Sequence, residues 1–348
     1  NIKNQESFTL ERREDYWAKN STFKRYKFNF DKIKVSVVKD NDALQFEKFK
    51  KGEQDIFTVN RSRRWIEETD FDAASKGWVK KQRVFSEKPA GTSGYYFNMR
   101  EWPFDDKRIR YAFCYLYNRE KMNKEMYYNE YDMMNSLYSG SVYENKDNNS
   151  FSHNPEEAIK LLKEAGYKDR NSDGWLVHNE TEKVLSFEIA IQKTSSYMVT
   201  PVQQMLKEYG LDMQIKFMDY NTIIKNVNAR NFNICMLGYS GLVYPNPESS
   251  LRSTLADQND NNNVWGFKST RVDDLLDEYD ICFDQKRRIE IIREIDGIFG
   301  DVHPIAYSIA RNYSRAMWWD KFGYPEWMFS RYVGEHWDAF YYWWYDEE

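Results

Sequence analysis

Asp169, Asn171 and Asp173 place three oxygen-bearing side chains at alternate positions, followed by Gly174 and, after five intervening residues, by Glu180. That spacing satisfies the D-x-N-x-D-G-x5-E pattern with which a loop wraps a calcium ion. The flanking elements point the other way. A helix is expected to stop at Gly166, and the residues after Glu180 alternate like a strand, so no exiting helix follows. A plain Asx and glycine turn is therefore the expected structure, and no metal ligand is assigned. A second constellation is Arg61, Arg63, Arg64 and Trp65, which follows an expected strand end. Arg64 could meet a ligand carboxylate while Trp65 stacks beside it; the competing reading is a solvated loop. Asp105-Asp106 and Asp273-Asp274 stand at helix starts, where carboxylates cap free N–H groups and complement the dipole. The sequence holds no G-x-S-x-G, no Cys/His nucleophile spacing, no dinucleotide fingerprint and no phosphate loop. Cys114, Cys235 and Cys282 are three and far apart, and His153, His178, His303 and His336 form no zinc spacing. No catalytic residue and no cofactor is expected.

The elements that must position any site come from a chain of 348 residues, long enough for two domains. Fifty Lys and Arg against 55 Asp and Glu leave a net charge of -5, so there is no electrostatic reason to expect a nucleic-acid partner. Mean hydropathy is -0.85, and no apolar run is long enough to span a bilayer. Aromatic residues make up 17% of the chain; Tyr and Trp line wet clefts as readily as cores, so composition alone does not choose between those roles.

The first third reads as short α/β units. Ile33, Val35 and Val37 alternate as a half-buried strand; Ala43 to Phe49 reads as a helix closed by Gly52; Asp55 to Val59 and Val79 to Phe85 read as strands, with a helix over 66–75 between them. Pro89, Gly91 and Gly94 break the pattern before a strand at Tyr95–Asn98, and a helix follows over 104–117. Asn154, Pro155, Glu156 and Glu157 carry the signals of a helix start, and Gly166 those of its end. Leu185 to Ile191, Val202 to Tyr209 and Met213 to Phe217 give strand, helix, strand, the pattern of a parallel crossover. A further strand is expected at 232–237, a loop over 238–263, helices at 272–279 and 285–299, and an aromatic, irregular tail over 317–344.

Several segments together resemble one family. Phe97-Asn98-x4-Pro103-Phe104-Asp105-Asp106-x-Arg108-Ile109-Arg110-x-Ala112 is similar to the central motif of the family 5 extracytoplasmic solute-binding proteins, the oligopeptide and dipeptide receptors of ABC importers. Asn154-Pro155-Glu156-x-Ala158 through Leu161-Leu162-x-Glu164-Ala165-Gly166-Tyr167 resembles their next motif, and Asp173-Gly174 the turn that follows. Leu10-Glu11-Arg12-x3-Tyr16-Trp17 and Lys51-Gly52-Glu53-x-Asp55 resemble the upstream pattern. Arg63-Arg64-Trp65, Asn263-x-Trp265-Gly266 and Trp319-Asp320-Lys321-Phe322-Gly323-x-Pro325-Glu326 resemble the YejA-like branch, associated with peptides and peptide-like antibiotics.

The resemblance implies an α/β, two-lobed periplasmic-binding-protein (Venus flytrap) fold with an incomplete first lobe. Residues 1–92 and 312–348 would form lobe one, and 93–311 lobe two. Asn1 falls inside an amphipathic pattern, and the family carries a further segment before it; a cleaved product, or a separate N-terminal fragment completing lobe one, is expected. The ligand would be a peptide or peptide-like compound, the membrane partner an ABC-importer permease, and the location periplasmic or otherwise extracytoplasmic. The expected ligand-binding residues are Tyr96, Asn98, Tyr239, Ser240, Asn263 and Trp265, at strand ends or neighbouring loops, with Arg64 and Trp65. Where the family has an acid to hold a peptide amino terminus, Gly238-Tyr239-Ser240-Gly241-Leu242-Val243-Tyr244 has none. The alternative is a structural or assembly protein that reuses the fold without transport.

Overall fold

A computed structural model describes residues 2–3, 7–38, 41–87, 89–329 and 337–346; Asn1 and His336 lie outside them. The chain forms two compact units. One comprises residues 1–88, 126–130 and 311–348; the other comprises 89–125 and 131–310.

The first unit is built on a three-stranded antiparallel sheet in the order Ile56–Thr58, Tyr313–Trp319, Val79–Phe85. Its central strand runs through the tail that was expected to be irregular. Arg315, Ala316, Met317 and Trp318 are all buried, so both faces are covered and the alternation that marks a half-exposed strand is erased. Phe46 and Phe49 of the helix Asp42–Lys50 pack with Phe57, Trp65 and Met317 to form the core. The expected helix over 66–75 is two short turns, Arg64–Glu68 and Asp72–Ser75.

The second unit holds a five-stranded sheet in the order Asp212–Phe217, Ser186–Ile191, Ile234–Tyr239, Thr92–Phe97, Ile305–Tyr307. The first three strands run parallel to one another, and Thr92–Phe97 runs antiparallel to its neighbours on both sides. The expected crossover is present: helix Ser196–Glu208 links Ser186–Ile191 to Asp212–Phe217 and buries Val199, Val202 and Leu206. Helix Lys107–Leu116 starts at the cap Asp106, whose carboxylate accepts from the Arg108 N–H, and buries Ile109, Ala112, Phe113 and Leu116. Helix Pro155–Glu164 starts as its sequence dictates, with Asn154 accepting from the Glu157 N–H at 3.1 Å. Helices Thr270–Ile281 and Gln285–Val302 close the other face, where Ile291, Ile292, Ile295 and Phe299 meet Trp265 and Tyr96.

Candidate functional site

Three parallel strands deliver their carboxyl ends, Ile191, Phe217 and Tyr239, to one end of the sheet. Open α/β sheets take ligands at that end, because loops leave the strands there and backbone groups lose their ladder partners. Here the end is aromatic and open. Phe217 is 59% exposed, Tyr220 58%, Tyr239 37%, Leu242 56% and Tyr244 73%. Asp219 caps the helix Tyr220–Asn228, accepting from the Thr222 N–H at 3.1 Å and from its hydroxyl at 2.5 Å, and so fixes Tyr220 at the rim. Burial, Cys235 and Tyr220 raise the Tyr239 phenol against the opposing pull of Arg230, so it stays a neutral donor and acceptor at physiological pH. Behind it, Tyr239 meets Tyr96 edge to face at 6.0 Å, and Tyr96 stacks on Trp265 at 5.5 Å.

The expected site residues divide between this rim and the interior. Tyr239 and Ser240 stand at the open end. Tyr96 and Trp265 form the buried wall behind Tyr239. Asn98 belongs to the opposite end of the same strand: in the register Phe97 faces Ile234 while Thr92 faces Tyr239, which puts Asn98 about 20 Å of strand away. Its amide is committed, with Nδ2 donating to the Arg230 and Phe232 carbonyls at 3.1 and 2.9 Å and Oδ1 accepting from Arg100 Nη1 at 2.9 Å. Asn263 is likewise fully buried. It donates to the Arg252 and Phe267 carbonyls and accepts from the Gly266 and Phe267 amides, closing the turn that carries Trp265. The structure therefore gives Asn98 and Asn263 framework duties that leave no group to offer a ligand.

Arg64 and Trp65, in the first unit, are also interior. Arg64 donates to Asp42 and, at 3.1 Å, to Glu68, and its guanidinium lies 4.9 Å from the centre of the Phe46 ring. Trp65 is buried in the same cluster beneath Lys81. A cation already paired with two carboxylates is not presented to a third.

Arg100 escaped the sequence reading. It donates to Asn98 Oδ1 and to the Ala256, Asn263 and Val264 carbonyls, tying three segments together with no carboxylate in the set. Its guanidinium is held below the ordinary arginine range by burial and by the neighbouring Arg230. Nothing in its spacing announces this; only the fold brings its partners together.

The calcium-like loop is a hairpin between Tyr167–Arg170 and Leu176–His178. Asn171 Oδ1 accepts from the Asp173 and Trp175 amides at 3.1 and 2.9 Å, so a would-be ligand oxygen is spent on the turn. No group of three or more His, Cys, Asp or Glu among the described residues is arranged to hold a metal ion.

Residues 1–262 match the family described as bacterial extracellular solute-binding proteins, family 5 middle. The chain belongs to that family. Family 5 members are binding proteins that work in the periplasm or otherwise outside the cytoplasm. Among its relatives is the protein y4wM of Sinorhizobium fredii, 26% identical over 91% of this chain and 53% of its own length. YejA of Escherichia coli is 24% identical over 92% of this chain and 58% of its own length. The chain thus spans somewhat over half the length of the curated relatives it matches. The oligopeptide-binding protein AppA of Bacillus subtilis, solved with a nonapeptide, superimposes with a TM-score of 0.80 at 19% identity, over 100% of this chain and 65% of its own. The fold is that of the family 5 periplasmic binding proteins, an α/β fold of the two-lobed type.

Proposed function

We propose that this family 5 chain belongs to a receptor that captures peptides or peptide-like compounds and delivers them to an ABC importer, in the periplasm or otherwise outside the cytoplasm. Lobe one is assigned to residues 1–92 and 312–348 and lobe two to 93–311, close to the two compact units except that 126–130 group with the first. The observation that carries this reading is the open aromatic rim at the carboxyl ends of three parallel strands. Such a rim offers strand-end backbone to a peptide main chain and aromatic faces to its side chains. Tyr239 and Ser240 make the contacts, and Tyr96 and Trp265 hold Tyr239 in place.

Capture involves no bond breaking. Ligand binding stabilises the occupied conformation by differential affinity, and the importer reads that conformation. Thermal unfolding of the full chain with a mixed pool of short peptides tests the reading: peptides at concentrations well above Kd raise the melting temperature, and the recovered peptides keep their mass. A melting temperature indifferent to every peptide overturns it.

A second reading, an assembly protein on the same fold, is favoured by the exposed Trp17, Phe23 and Tyr26 of the first unit. Stable association with another polypeptide, without stabilisation by peptides, would support it.

A further inference from the structure

The rim does more than admit a peptide; its chemistry selects one. From Asn231 to Pro247 the sequence runs for 17 residues without a charged side chain, in a chain where 30% of residues are charged. The strand Ile234–Tyr239 accounts for part of that run, because a central strand excludes charge. It does not account for 240–247, which leaves the sheet and exposes Leu242 and Tyr244 to solvent. Exposed loops ordinarily carry charge, and a cluster of open apolar side chains is disfavoured unless something covers it.

Within two residues after the three parallel strands stand two charged groups, Asp219 and Lys193. Asp219 is engaged by the amide and hydroxyl of Thr222, which hold its carboxyl below the ordinary range. Lys193 follows the strand Ser186–Ile191 and is exposed. Arg230 belongs to the opposite pole, where its carbonyl accepts from Asn98 Nδ2 and its guanidinium donates to the Val227, Gln258 and Asn261 carbonyls and to Asn261 Oδ1. Of these groups the exposed charge at the strand ends is the Lys193 ammonium, while the Asp219 carboxylate is occupied.

We infer that Phe217, Tyr220, Tyr239, Leu242 and Tyr244 form a specificity surface for uncharged aromatic and aliphatic peptide side chains, one that rejects cationic side chains. This rests on the peptide-receptor reading and adds the class of peptide. Apolar side chains gain by leaving water against these rings. A lysine placed there must shed water, meets the like charge of Lys193 and finds the Asp219 carboxylate already engaged. An aromatic face can also attract a cation, but for exposed rings that attraction is weaker than the burial of a whole aromatic side chain.

The loop is built to hold its place while doing this. A Cβ on Gly241 would lie 2.1 Å from the Pro89 carbonyl oxygen, so the loop backbone sits directly on the segment leading into strand Thr92–Phe97. Leu242 and Tyr244 thus project from an anchored base.

The test is calorimetric titration of the full chain with the pentapeptides Gly-Phe-Gly-Phe-Gly and Gly-Lys-Gly-Lys-Gly and with a mannose hexasaccharide. The phenylalanine peptide is expected to bind at least about tenfold tighter than the lysine peptide. The double variant Leu242→Ala/Tyr244→Ala, whose side chains are exposed and whose melting temperature should match the parent, is expected to shrink that ratio to about threefold or less. Equal binding of the two peptides, or an unchanged ratio in the variant, overturns the inference and leaves the receptor reading standing. Binding of the hexasaccharide alone overturns it as well, because sugars also stack on aromatic faces. If no peptide binds, the receptor reading fails and the inference falls with it.

Discussion

Gly91 and Gly241 meet backbone against backbone. A Cβ on Gly91 would lie 2.0 Å from the Tyr239 carbonyl oxygen and 2.6 Å from the Gly241 nitrogen, and a Cβ on Gly241 would lie 2.1 Å from the Pro89 oxygen. Gly91 also has φ +82°, in the left-handed region. Gly140 supplies the comparison, with φ +76° and nothing within 4 Å of its Cβ position. Gly140→Ala should cost about 1 kcal/mol from backbone strain alone. Gly91→Ala should cost about 1–3 kcal/mol more, since rigid backbone must shift. Urea unfolding of the variants measures the difference, and equal losses would show that the approach is looser than described.

Asp296 is buried and accepts from Ser136 Oγ, the Leu137 and Asn145 amides and Asn148 Nδ2, at 2.6 to 3.1 Å. Burial pushes its carboxyl up to about 6, and the four donors only partly offset this. A carboxyl raised in the folded state binds its proton more tightly there than in the unfolded chain. Its stabilising contribution is therefore complete below about pH 4 and is lost as pH rises through 6, a change on the order of 3 kcal/mol. Asp296→Asn should flatten stability over pH 4 to 7 relative to the parent. Parallel curves for the two proteins would contradict the assignment.

Glu130 works in the opposite sense. Burial opposes its charge, but the Tyr313 hydroxyl, Arg83 and Arg315 together hold its carboxyl below the ordinary range. Its contribution is present above the ordinary glutamate value and disappears as pH falls through the lowered folded value. Arg315 is fully buried, so Glu130→Gln strips a buried cation of its carboxylate and should cost about 3 kcal/mol at pH 7. Denaturant unfolding at pH 7 and again in acid should show the gap between parent and variant closing.

Asn263→Ala removes four hydrogen bonds from one turn and leaves buried amides and carbonyls unpaired. A loss of about 2–4 kcal/mol is expected, with peptide affinity changed no more than its melting temperature explains. Arg64→Ala should behave likewise in the first unit, destabilising it through Asp42, Glu68 and Phe46. A variant of normal stability that has lost peptide binding would return these residues to the ligand site.

The fold was readable wherever one face of an element is wet. Helix Pro155–Glu164 advertises its cap, its first turn and its stripe, and the alternation of Ser186–Ile191 and Asp212–Phe217 survives because alternate residues reach solvent. Tyr313–Trp319 was not readable, because burial on both sides replaces alternation with a continuous apolar run. Helix Tyr220–Asn228 was missed although Asp219, Ile223 and Val227 carry its cap and stripe; three asparagines in nine residues dilute the signal. For the candidate site, local pattern put Tyr239 and Ser240 beside a strand end, and the strand Ile234–Tyr239 ends there. Which end of a strand faces outward is a matter of topology, and so Asn98, at the wrong end, looked equally suitable. Of the rim residues proposed above, Leu242 and Tyr244 could have been found from the uncharged run at 231–247, whereas Phe217 and Tyr220 lie outside it.

The sheet of the second unit has two dissimilar poles. At one, Asn98, Arg100 and Asn263 knot four segments through carbonyls and amides; at the other, rings stand in water. Side chains at the outer pole can therefore be exchanged one by one without breaking a hydrogen bond of the knot that ties these segments together.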